Sequence, residues 1–141
     1  MTAHYTRVSH IVLRQGCTTF LSTLTYTTED PLAVTLTIAL GGLALATNEP
    51  KVRVWAFDRD LLLVGLTGPV GSGDIRIRPS SAEPSRLLIR LVSPSGDSTF
   101  STAKAIVDQF ATAIFRAVPP GTEDAWLDLD DTISKLLEAE A

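Results

Sequence analysis

The sequence is poor in the residues that most small-protein chemistries require. Cys17 is its single cysteine, so no internal disulfide can staple the fold, and a reducing compartment is expected. His4, His10 and that cysteine are the only imidazole or thiol groups, and their spacing matches no zinc pattern. Aromatic residues make up 6% of the chain, a thin supply for a protein that would bind single strands by stacking bases. Met1-Thr2-Ala3-His4 shows no basic stretch followed by an apolar one, so no secretory leader is expected there. Long apolar runs are also scarce. Pro31 to Asn48 carries no charge, but Leu32, Val34, Leu36, Ile38 and Leu40 alternate with small or polar residues, and Gly41-Gly42 breaks the run. That is the period of a half-buried strand, and a membrane span is not expected.

What remains is ordinary globular material. With 141 residues, 45% of them hydrophobic and 20% charged, the chain suits one domain over residues 1–141. Seven short alternating segments predict strands: Val8–Arg14, Thr19–Tyr26, Leu32–Leu40, Lys51–Phe57, Asp74–Arg78, Arg86–Ser93 and Asp97–Thr102. Turn residues such as Glu29-Asp30-Pro31 and Ser93-Pro94-Ser95-Gly96-Asp97 separate several of them. No long helix intervenes between most strands, so a largely antiparallel sheet follows.

Three helices complete the pattern. A short one is expected after Asp58, capped by an acidic residue and ended by Gly65; Gly68–Gly73 reads as loop. Ala103, Ile106, Val107, Phe110, Ile114 and Ala117 recur at helical spacing until Pro119-Pro120-Gly121. A last helix should begin near Asp128 or Asp130. The fold class is therefore α+β: a strand-rich, barrel-like body of about seven strands, one short embedded helix and two C-terminal helices.

Charge is unevenly spread. Seven basic residues oppose four acidic ones between Lys51 and Arg90, so the net charge of −4 is concentrated elsewhere, above all after Val118. Arg76 and Arg78 share a strand face, and Arg53 and Arg90 join them in a reading that places several arginines on one exposed surface. An exposed sheet face explains the pattern without nucleic acid.

No catalytic set emerges. Ser101-Thr102-Ala103-Lys104 matches the S-x-x-K signature of penicillin-recognising enzymes, but S-D-N and K-T-G are missing, and capping of the helix by Ser101 or Thr102 is the expected role. The glycines at 68, 71 and 73 lack the Lys-Ser/Thr of a phosphate loop. Neither catalytic residue, cofactor site nor metal site is assigned.

A colinear series of motifs then narrows the reading. Val54-Trp55-Ala56-Phe57-Asp58-Arg59-Asp60-Leu61-Leu62-Leu63-Val64-Gly65-Leu66 runs into Pro69-Val70-Gly71-Ser72-Gly73-Asp74 and Ile75-Arg76-Ile77-Arg78-Pro79-Ser80. Leu24-Thr25-Tyr26 with Asp30-Pro31 precedes it, and Val92-Ser93-Pro94-Ser95-Gly96 and Val118-Pro119-Pro120-Gly121-Thr122-Glu123 follow. Together these resemble the SsgA-like sporulation and cell-division proteins of actinomycetes. The chain departs from that pattern at Asp58, at Arg78, and in a longer interval that carries Leu43-Ala44-Leu45-Ala46.

The resemblance implies a fold similar to the whirly single-strand-binding proteins, assembled as a homotrimer. It also implies a cytoplasmic, non-enzymatic adaptor at division septa. Such an adaptor would help place the septum and recruit the tubulin-like protein FtsZ or cell-wall remodelling factors. The runner-up is a single-stranded nucleic-acid-binding protein of the same fold. Partner contact is expected at Arg59, Asp60 and Leu62, where opposite charges sit beside leucines, and at Leu43 and Leu45 in the apolar loop. The competing expectation is that Leu61, Leu62 and Leu66 plug the barrel while Arg59 and Asp60 cap the helix or pair with each other.

Overall fold

The computed structural model of the chain describes residues 4–39, 52–94 and 96–126. Its first two strands, β1 (Thr6–Gln15) and β2 (Thr18–Thr27), pair antiparallel along their whole length, Thr6 opposite Thr27 and Gln15 opposite Thr18. Only two residues, Gly16 and Cys17, close this hairpin. Gly16 has φ 60°, and no described non-glycine residue has positive φ. A left-handed first position followed by a right-handed second is the type II′ turn, whose twist matches that of its strands. Gly73, also at φ 60°, serves the same purpose in the two-residue turn between the paired Ser72 and Ile75.

The remaining elements are β3 (Ala33–Ala39), β4 (Val52–Asp58), α1 (Asp60–Gly65), β5 (Val70–Ser72), β6 (Ile75–Pro79), β7 (Arg86–Ser93), β8 (Gly96–Ala103) and α2 (Lys104–Ala117). A helical turn follows at 123–126. All eight strands form one antiparallel sheet in the order β4-β3-β2-β1-β8-β7-β6-β5. It consists of two four-stranded meanders joined at a β1–β8 seam, where Arg14 lies opposite Ser101. Helix α1 packs on β4 of one meander and on β5 and β6 of the other, while α2 packs on β1 and on α1. The sheet thus curls around both helices as a half-barrel.

Alternation decides what the curl encloses. Ile11 and Leu13, Leu24 and Tyr26, Leu36 and Ile38, Ile77, Leu87 and Ile89 all point inward and are almost fully buried. Leu61, Leu62 and Leu66 of the α1 region and Val107, Phe110 and Ile114 of α2 close over them. Burying a leucine- or isoleucine-sized side chain contributes about 1.5–3 kcal/mol, so this layer is the main source of stability.

Two details depart from the sequence reading. The Gly68–Gly73 stretch holds a strand, Val70–Ser72, pairing with Ile75–Ile77. Helix α2 has Ala103 at its N-cap and no side-chain cap; Ser101 and Thr102 both belong to β8. Gly65 is the last residue of α1, as expected, but its φ is not positive, so the helix ends there without a left-handed turn. A Cβ there would stand 2.5 Å from Ile77 Cγ2, so glycine is what lets α1 lie against β6. The acidic start of α1 does hold, since Asp58 Oδ1 accepts the Asp60 N–H at 2.9 Å. The expected helix beyond Asp128 and the Leu43–Ala46 loop lie outside the described residues. No described helix is long and apolar enough to cross a membrane.

Candidate functional site

Arg59 stands where β4 ends and α1 begins, and the chain turns inward there. Its backbone N–H donates to the Leu32 carbonyl at 2.9 Å. The side chain is fully buried. Nη1 donates to the Val118 carbonyl at 2.7 Å, with a longer bond of 3.5 Å to Tyr26 Oη; Nη2 donates to Glu123 Oε1 at 2.5 Å. The guanidinium also lies over the Phe115 ring, 4.2 Å from its centroid. A buried charge is tolerated only when it is paired and hydrogen-bonded, and here a carboxylate, a carbonyl and an aromatic face share the task.

Glu123 is positioned by the turn that precedes it. The Gly121 N–H donates to Glu123 Oε2 at 2.7 Å, and Gly121 adopts φ 88°. The hydrogen bond from Arg59, joined by these backbone bonds, holds the Glu123 carboxyl below the usual carboxylate range. Burial acts in the other direction on Tyr26, raising its phenol despite the nearby Arg59 charge. Tyr26 Oη donates to the Pro31 carbonyl at 3.0 Å. One buried cation therefore ties the β4–α1 junction to the end of α2 and the segment after it.

Two of the residues expected at a partner contact lie in the core. Arg59 and Leu62 are buried, so neither presents its side chain to a partner, and Arg59 pairs with Glu123 instead of Asp60. Asp60 is exposed. Leu43 and Leu45 lie outside the described residues. The surface of α1 that does face solvent carries Leu63 and Val64, each 47% exposed, beside Asp60 and Asp58. Sequence reading missed these two because an unbroken run from Leu61 to Val64 has no polar residue to mark the outward side.

The arginines divide between two faces. Arg76, Arg78 and Arg90 alternate with the buried Ile75, Ile77, Ile89 and Leu91, so they lie on the outer face. Arg53 does not join them. It pairs across from the buried Ile38 and lines the inner mouth of the half-barrel with Trp55, Phe20 and Phe100. The one aromatic expected to stack beside the arginines is thus on the opposite side of the sheet. Ser101 accepts a hydrogen bond from Arg86 Nε at 2.8 Å, and the Thr102 hydroxyl is buried without a partner. No group of three His, Cys, Asp or Glu side chains suited to a metal occurs among the described residues.

A curled antiparallel sheet closed by a short helix, with a buried arginine fastening that helix, defines a strand-rich α+β protein. The family of the Streptomyces sporulation and cell division protein SsgA matches residues 21–123, and the chain belongs to it. Among its relatives is the sporulation-specific cell division protein SsgB of Streptomyces coelicolor, 38% identical over 115 residues that cover 81% of this chain and 79% of that protein. SsgB of Saccharopolyspora erythraea is 36% identical over 114 residues, 81% of this chain and 76% of that protein. The crystal structure of an SsgA-like sporulation-specific cell division protein from Thermobifida fusca superposes with a TM-score of 0.77 at 28% identity, over 96% of this chain and 98% of that one. A Streptomyces coelicolor SsgB structure gives 0.72 at 31% identity, over 88% and 95%; mutations in that protein correlate to longitudinal cell division during sporulation. Both Arg59 and Glu123 fall within the matched region.

Proposed function

We propose that the chain is a non-enzymatic, cytoplasmic adaptor of sporulation-specific division. It helps place the septum and recruits the division machinery, either FtsZ or cell-wall remodelling factors, by docking a protein partner on the outward side of α1. The observation that carries this reading is the two-sidedness of that helix. Arg59, Leu61, Leu62 and Leu66 lock one side into the core, while Leu63 and Val64 stay exposed beside Asp60. A rigid helix with apolar residues outward and charges at the edge is the composition of a small interface. The family's role in sporulation and division supplies the setting.

A fluorescent fusion carrying Leu63→Asp in sporulating hyphae tests it. The variant is expected to fold and melt as the parent does, because the position is exposed, yet to stay diffuse instead of concentrating at septa. Parental localisation would remove α1 as the docking surface. The adaptor reading also extends to a homo-oligomer, since several copies of a weak site on one particle bind a polymer by avidity. The outer face of β1–β4 supports self-association: Val8, Val12, Leu21 and Val54 are exposed there, beside His10 and Arg14 of β1 and the threonines and alanines of β2 to β4.

A further inference from the structure

The outer face of β5–β8 carries a chemistry that the α1 reading leaves unused. Gly71, Arg76, Arg90 and Thr99 form one continuous cross-strand row, because Gly71 pairs with Arg76, Arg76 with Arg90, and Arg90 with Thr99. The adjoining row sets Arg78 opposite Leu88. Between the rows lies a groove of about 340 Å³, lined by these residues. Like charges directly opposite on neighbouring strands are destabilising, yet Arg76 and Arg90 are so placed. Only Arg90 has a carboxylate, that of Asp97; Arg76 and Arg78 make no ion pair among the described residues.

The β6 side of the groove suits a ligand that runs parallel to that strand. Gly71 gives no side chain to its floor, and a Cβ there would stand 2.8 Å from Arg76 Cγ, so the glycine leaves room for the arginine stem. Arg76 and Arg78 are two residues apart on one strand, a separation of about 6.6 Å. Alternate side chains of an extended peptide repeat at that same distance. Guanidinium forks match carboxylates in bidentate fashion, and Leu88, opposite Arg78 on β7, offers an apolar contact beside them.

We infer that this groove binds an extended acidic segment of a protein partner, with carboxylates at alternate positions meeting Arg76 and Arg78. A nucleic-acid strand fits it less well. No lining residue is aromatic, Trp55 faces the other side of the sheet, and the chain as a whole carries a net charge of −4. The site is separate from α1, so it stands or falls independently of that surface.

Fluorescence anisotropy on the purified protein decides it. The probe is a short fluorescein-labelled peptide alternating glutamate and serine, compared with the same peptide carrying glutamine in place of glutamate and with a single-stranded oligonucleotide. Saturable binding of the glutamate peptide alone is expected, weakened about tenfold or more when Arg76→Gln and Arg78→Gln are combined. Leu63→Asp is expected to bind the peptide as the parent does. Should the double variant fail to fold, Arg78→Lys decides, since it keeps the charge and loses the fork: weaker binding supports carboxylate pairing, and parental affinity overturns it. Unchanged binding by the folded double variant, or tighter binding of the oligonucleotide than of the peptide, also overturns the inference.

Discussion

The Arg59 guanidinium is held by acceptors that arrive from far along the chain: Glu123 is 64 residues away and Val118 is 59. Removing one partner of such a buried pair leaves the other charge stranded, at a cost of about 3–5 kcal/mol. Arg59→Glu goes further, setting a second carboxylate against Glu123 and the Val118 carbonyl. Reversing a surface charge would be nearly silent, but this variant is expected to unfold at much lower urea concentration or temperature than the parent. A parental melting curve would mean that the clamp does not hold α1. The same pair sets a pH dependence. Glu123 is held below its unfolded value, which for glutamate is about 4.3. Its contribution to stability is therefore complete above that pH and is lost as pH falls through the lowered folded value. Urea midpoints measured from neutral pH downward should fall less steeply in Glu123→Gln than in the parent, because that variant has already lost the ionised partner.

At the level of the elements, the contact between α1 and β6 is set by the absence of one methyl group. A Cβ on Gly65 would meet Ile77 Cγ2 at 2.5 Å and Ile77 Cβ at 2.7 Å, and Ile77 is itself buried in the core. Gly65→Ala should therefore destabilise the protein by about 1–3 kcal/mol, the usual cost of overpacking, although alanine is the better helix former. A gain in melting temperature would show that α1 can move away from β6 freely. The same contact explains what the sequence could and could not reveal. Alternation in segments such as Leu32–Leu40 and Arg86–Ser93 announces strands because one face of each is buried, and the Val107, Phe110, Ile114 spacing announces α2. Val70–Ser72 is too short to show a period, so β5 is visible only through its pairing. Gly65 reads locally as a helix stop, and α1 does end there, but the contact that requires glycine comes from a strand ten residues later. Arg59 and Glu123 stand in two separate motifs of the family resemblance, but neither motif states that they touch. That pairing is a tertiary fact, and missing it made a buried cation look like an interface charge.

On the scale of the whole molecule, the outer surface of the half-barrel is divided. The β6–β8 part carries Arg76, Arg78, Arg86 and Arg90, whereas the outward positions of β2, β3 and the first part of β4 are threonine, alanine, valine and leucine. Leu21 is 73% exposed and Val54 59%, while the residues registered across from them include Val12 and Thr37. Scattered apolar residues are normal on a surface, but a contiguous uncharged sheet face marks a contact. A second copy of the chain presents the same uncharged face, so self-association buries it without leaving any charge unpaired, whereas an anionic or cationic partner would find nothing to pair with there. Light scattering at micromolar concentration is therefore expected to give a mass well above the 15.1 kDa of one chain. Leu21→Lys should lower that mass toward a monomer, because each interface would then enclose unpaired ammonium groups. The position is exposed, so the variant's own fold should be unaffected. Arg76→Gln, on the other part of the surface, should leave the mass unchanged. If the parent remains a monomer at high concentration, avidity cannot operate and the adaptor would have to act as a single copy. If Leu21→Lys assembles like the parent, the copies meet through another surface.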